Sequence, residues 1–191
     1  MLAIDASQLN IHLIEDLEYL FEANRYILTV RRPLSWLRSF VDDSLRRDVT
    51  DIVMRYRRYR FGAPDGHAPA ERVLADHGLH TVSGYLRFWQ CAVEFVLAVA
   101  PPERLIIVET DQIANRVGEI ARFVGLDDIA PHLSAPHAHA NYQRSGVVER
   151  IDRDFLIEQC EEICGDTARL VMPGWSAAAE MARIAGGLPI R

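Results

Sequence analysis

Two short apolar runs, Tyr26-Ile27-Leu28-Thr29-Val30 and Arg104-Leu105-Ile106-Ile107-Val108, limit the folds open to this chain more than any other feature. Neither alternates apolar with polar residues, so each reads as a strand covered on both faces, as in a parallel sheet. The rest of the pattern supplies the cover. Leu17, Leu20 and Phe21 share one helical face, and Asn24 is placed to end that helix. A second helix is expected from about Ser35, with Trp36, Leu37, Phe40, Val41 and Leu45 inward, and a third after Thr50. Tyr85 to Val99 keeps a helical period up to Pro101-Pro102, Val117–Val124 closes on Gly125, and Asp152–Leu170 returns to helix. Leu9–Ile14 reads as a short leading strand, while Phe61 to Pro69 and about Leu126 to Val148 read as loops. Strands alternating with helices predict one α/β domain over residues 1–191, a layered parallel sheet with flanking helices and right-handed crossovers.

Composition then narrows the function. A net charge of −6 argues against general nucleic-acid affinity. No apolar run nears the ~18 residues that a membrane helix needs. Met1-Leu2-Ala3-Ile4-Asp5 lacks the basic and apolar regions of a signal peptide, so a cytoplasmic address is expected. All 21 basic residues are arginine, and nothing in the chain can act as a phosphate-loop or Schiff-base lysine. Arginine instead offers a planar fork of donors suited to phosphate and sulfate oxygens. Cys91, Cys160 and Cys164 make no disulfide framework. Cys160 and Cys164 are spaced as neighbours on one helical face and read as packed thiols rather than a metal or redox pair.

The most informative segment is Val30-Arg31-Arg32-Pro33-Leu34-Ser35-Trp36-Leu37-Arg38-Ser39. A buried strand ends at a charged arginine, turns through proline and begins a helix. Free N–H groups and the helix dipole make such a place favourable for anions. With Ser35 as N-cap, Ser39 lies one turn in, and Arg31 and Ser39 can share one phosphate. Taken alone, the same residues also fit solvated strand-end arginines and an ordinary helix serine.

Here the chain resembles the sulfotransferases that use 3′-phosphoadenosine 5′-phosphosulfate. In that family a strand is followed by Arg-x-Pro, with a serine eight residues beyond the arginine, and Arg31, Pro33 and Ser39 match. The resemblance assigns Arg31 and Ser39 to the nucleotide's 3′-phosphate. Arg104 to Ile113, running on to Phe123-Val124-Gly125-Leu126, looks like the family's later strand, its Tyr-Glu-Asp-Leu-type turn and its closing Phe-Leu-Gly-Leu. Thr110-Asp111-Gln112-Ile113 departs from that turn by lacking the aromatic residue. Arg144-Ser145-Gly146-Val147-Val148 is similar to the family's late Arg-Lys-Gly segment, with Ser145 in place of the lysine. The resemblance implies a P-loop NTPase-like sulfotransferase fold without its first strand-loop-helix. It also implies nucleotide binding by Arg31, Ser39, Arg144, Ser145 and Gly146, and no metal. The implied reaction is sulfuryl transfer from 3′-phosphoadenosine 5′-phosphosulfate to a hydroxyl or amine acceptor.

The family's lysine-containing loop, which cradles the 5′-phosphosulfate, does not precede Arg31. The expectation is therefore an N-terminally incomplete domain, weak or inactive as the isolated chain. A non-catalytic nucleotide-binding or partner-binding remnant is the alternative. A different phosphotransferase on the same architecture would need a metal-binding carboxylate at a strand end, where Asp111 stands. His12 is the candidate base, because an acceptor must lose a proton and histidine takes one near neutral pH. The resemblance supports its place upstream of the Arg-x-Pro motif, and Glu15 and Asp16 are rivals. Arg55-Tyr56-Arg57-Arg58-Tyr59-Arg60 reads as a solvated face, with a contact surface for an acidic acceptor such as a sulfated glycan as the sharper option. His132, His137 and His139 read as a polar loop. Neither the acceptor nor the oligomeric state is specified, since acceptor loops vary on one fold.

Overall fold

The computed structural model describes residues 10–47, 50–126 and 144–186. In chain order the elements begin with α1 (Ile14–Leu20), β1 (Tyr26–Val30), α2 (Pro33–Arg46), α3 (Asp51–Phe61) and α4 (Arg72–Asp76). There follow α5 (Val82–Val99), β2 (Leu105–Glu109), α6 (Val117–Phe123), α7 (Arg153–Val171) and α8 (Ala177–Ala185). The class is α/β and mostly helical. β1 and β2 pair in parallel, from Tyr26 opposite Leu105 to Val30 opposite Glu109. Among the described residues the sheet has these two strands, and most of their positions are half-buried rather than fully covered. None of the described helices is long and apolar enough to cross a membrane.

The chain divides into two compact units, Met1–Val30 with Cys91–Pro131, and Arg31–Gln90 with His132–Arg191. In the first, Ile14, Val96 and Ala100 form a small core with Ile11, Tyr26, Leu28, Val99 and Leu105 around it. The expected leading strand is replaced here. Asn10–Leu13 is a 3-10 turn running into α1. Ile11 and Ile14 pack on the same core at a spacing of three, which a strand would send to opposite faces. A polar clamp ties the starts of both strands to α1. The Glu18 carboxylate accepts from the Tyr26 hydroxyl at 2.8 Å and from Arg104, and Asn24 Oδ1 accepts from Arg104 at 2.6 Å. Asn24 also donates to the Leu17 carbonyl at 3.0 Å, closing the end of α1.

In the second unit, Leu34, Leu37, Val41, Leu74, Val82, Tyr85 and Leu86 are fully buried. Local signals set most of its ends. The Thr50 hydroxyl accepts from Val53 N–H at 3.4 Å to start α3, and Asp152 accepts from Phe155 N–H at 2.8 Å to start α7. α5 begins three residues before the expected Tyr85 because the buried Glu71 carboxylate accepts Val82 N–H at 2.6 Å. Gly84 permits close packing there, since a methyl group would stand 2.3 Å from the Phe61 carbonyl oxygen. Cys160 and Cys164 are buried free thiols. Hydrogen bonding to Cys164 and then burial push the Cys160 thiol well above its ordinary value, so it stays protonated and inert.

His80 lies within the ring cluster of Phe61 and Tyr85, 4 % exposed, and its backbone N–H donates to the Tyr85 hydroxyl at 3.3 Å. Burial lowers its proton affinity below the ordinary 6.5, Gly62 opposes through a hydrogen bond, and Arg57, His67 and Arg58 lower it further. The folded chain then holds His80 neutral while the unfolded chain protonates it, so stability falls as pH drops below 6.5. Relative to His80→Gln, the wild type should lose roughly 1 kcal/mol more stability per pH unit in that window. Urea unfolding of both proteins at matched pH values measures it, and equal pH slopes would refute the buried neutral histidine.

Candidate anion-binding site

The site is built on α2. Pro33 starts this helix two residues before the expected Ser35, because its fixed φ suits the first helical position and its missing N–H forfeits no helix bond. Arg32, not Ser35, is the N-cap residue, and the Arg31 carbonyl is held by the Trp89 indole N–H at 2.9 Å. Ser35 stands in the first turn, where its backbone N–H donates to Glu180 Oε1 at 2.7 Å. Glu180 Oε2 accepts the Trp175 indole N–H at 2.9 Å, and Glu180 is 1 % exposed. The positive end of α2 thus faces a buried carboxylate supplied by α8.

α2 buries two faces. Leu34, Leu37 and Val41 make the apolar one. The other carries Ser35, Arg38, Ser39 and Asp42, at the i, i+3, i+4, i+7 spacing usually given to apolar residues. Ser35, Arg38 and Asp42 are buried and Ser39 is half-buried. Asp42 Oδ1 accepts from the Ser145 backbone N–H at 2.9 Å and from its hydroxyl at 2.5 Å. Gly146 follows at φ +70°, a conformation that glycine enters without strain. The Arg144-Ser145-Gly146 segment therefore docks on the helix that carries Ser39.

Arg38 is the centre of the arrangement. It is 4 % exposed, and its Nη1 lies 3.6 Å from Glu149 Oε1, an ion pair too long for a hydrogen bond. Among the described residues that nitrogen has no hydrogen-bond partner. Burial and then Arg144 pull the Arg38 guanidinium below its ordinary value, against Glu149 and Asp42. Arg31 is pulled down by burial and then by Arg38, with Glu180 opposing. Arg38 thus lies within electrostatic reach of both Arg31 and Arg144. A multiply charged oxyanion accepting from Arg38 Nη1 would satisfy the orphaned donor and offset the repulsion together.

Sequence reasoning singled out Arg31, Ser39, Arg144, Ser145 and Gly146 but missed Arg38, Glu180, Asp42 and Glu149. The readable signal was the polar run at 35, 38, 39 and 42 on a helix whose apolar face was already assigned. His12 belongs to the first unit, exposed in the Asn10–Leu13 turn rather than following a strand, and Glu15 and Asp16 are exposed in α1. Asp111 stands in the 3-10 turn Thr110–Gln112 after β2. His132, His137 and His139 lie outside the described residues. Among the described residues, no three His, Cys, Asp or Glu side chains are grouped to hold a metal.

Comparison with protein-family models, curated proteins and solved structures returns no match.

Proposed function

We propose that the second unit binds the 3′-phosphate of 3′-phosphoadenosine 5′-phosphosulfate at the arginine cluster around Arg38, as part of a sulfotransferase-like domain. The observation that carries this reading is Arg38: a buried guanidinium whose Nη1 is ion-paired with Glu149 at 3.6 Å but makes no hydrogen bond, within electrostatic reach of the two arginines that the sequence motifs mark. Arg31 and Arg144 supply further charge, Ser39 a hydroxyl on the same helix face, and Ser145-Gly146 a backbone turn fixed by Asp42. On this reading β1 and β2 belong to a layered, P-loop NTPase-like sheet. The reaction moves a sulfuryl group from the phosphate oxygen to a hydroxyl or amine acceptor. No lysine stands among the 191 residues to neutralise the leaving phosphate. A second reading that uses the same binding residues is a nucleotide-binding remnant without turnover.

Both readings share the binding step, which calorimetry tests. Adenosine 3′,5′-bisphosphate should bind at least tenfold more tightly than adenosine 5′-monophosphate, because the 3′-phosphate makes the charged contacts. Equal affinities would remove the assignment.

A further inference from the structure

We propose that the outward face of α3 docks onto an anionic lipid surface. The helix reads Asp51-Ile52-Val53-Met54-Arg55-Tyr56-Arg57-Arg58-Tyr59-Arg60-Phe61, and Phe61 is its buried residue. Ile52 and Tyr59 are 80 % and 78 % exposed, and Val53 and Met54 also face water. Ile52, Arg55 and Tyr59 fall on one face by helical spacing, with Arg58 beside them. The two arginines on the other side are held by rings. Arg60 lies 3.9 Å from the Phe88 ring centroid and Arg57 lies 6.0 Å from that of Phe40.

Six arginines elsewhere in the chain are matched with acids. Arg38, Arg46, Arg47, Arg104, Arg116 and Arg169 each have a carboxylate within ion-pair distance. Among the described residues the four arginines of α3 have none, although acidic residues outnumber basic ones 27 to 21. Arg55 and Arg58, both outward and beside exposed aliphatic and aromatic groups, fit a surface that takes both. Anionic headgroups meet the guanidinium edges, while Ile52 and Tyr59 enter the acyl boundary. A soluble polyanion would answer the arginines but leave Ile52 and Tyr59 in water. A protein partner fits less well, because an 11-residue helix is only about 16 Å long. Its outward strip is far short of the ~800 Å² per partner of a standard interface.

The test is co-sedimentation of the full chain with phosphatidylserine–phosphatidylcholine vesicles, phosphatidylcholine vesicles, and dextran sulfate as a soluble polyanion. Binding is expected only to the anionic vesicles with appreciable strength, falling with added salt. Arg55→Glu with Arg58→Glu should cut it at least tenfold, and Ile52→Ser with Tyr59→Ser should cut it by a similar factor. All four positions are exposed, so unchanged circular dichroism is expected of both variants and separates loss of docking from loss of fold. Failure to bind anionic vesicles overturns the proposal, as does equal binding to phosphatidylcholine. Binding to dextran sulfate that the Ile52→Ser, Tyr59→Ser variant retains in full would mark a polyanion surface instead.

Discussion

Glu180→Ala should destabilise the chain by about 3–5 kcal/mol, the cost of removing one partner from a buried charged network. The loss has three parts. Ser35 N–H and the Trp175 indole N–H are left buried without an acceptor, Arg31 loses its opposing charge, and a cavity opens beneath α8. For a chain of this size that is on the order of a 10 °C fall in melting temperature. Glu180→Gln separates stability from binding. It keeps the volume and one acceptor, so the loss should be smaller, yet removing the negative charge leaves Arg31 freer to hold a phosphate. The variant should fold less stably and bind adenosine 3′,5′-bisphosphate more tightly. Unchanged melting in Glu180→Ala would show that the carboxylate does not cap α2.

Arg38→Met should show the opposite split. The charged hydrogen bonds to phosphate that the proposal gives it would be worth roughly 1.5–3 kcal/mol, or about 10- to 150-fold in affinity. Stability should hold or rise slightly, because methionine fills the buried space and the guanidinium's desolvation cost disappears. Glu149, the partner left behind, keeps access to water at 39 % side-chain exposure. A several-kcal/mol loss of stability with unchanged affinity would make Arg38 a structural residue and leave the site without its centre. Chemical denaturation and calorimetry on the same preparation distinguish the outcomes.

What could be read from the sequence follows how local each signal was. β1, β2, α3 and α7 were legible because unalternated apolar runs and adjacent cap residues, Thr50 and Asp152, specify them within a few positions. Gly125 marked the end of α6 by the same logic, and it takes φ +78° there. The leading segment misled because Ile11 and Ile14 were read as strand when their spacing of three suits the 3-10 turn that packs both on one core. α4 and α8 passed unnoticed, one very short and the other a nine-residue segment whose buried face includes Glu180.

The site divides the same way. Arg31, Ser39 and Arg144 carried motif spacing, whereas Arg38 gained its meaning from burial, which spacing alone does not report. Glu180 meets Ser35 across 145 residues of chain, and nothing in either neighbourhood announces the other. The α2 N-terminus was expected to present free N–H groups, but tertiary packing has already given one of them a carboxylate. On the proposed reading an incoming phosphate would engage side-chain guanidinium groups more than backbone donors, which is why the arginine substitutions are the informative ones.

The central claim is that the arginine cluster around Arg38 holds a 3′-phosphate, and phosphorus NMR of adenosine 3′,5′-bisphosphate during titration with the chain tests it most directly. The 3′-phosphorus resonance should shift and broaden first, and that response should be lost in Arg38→Met. A response confined to the 5′-phosphorus, or one that Arg38→Met leaves intact, would contradict the account.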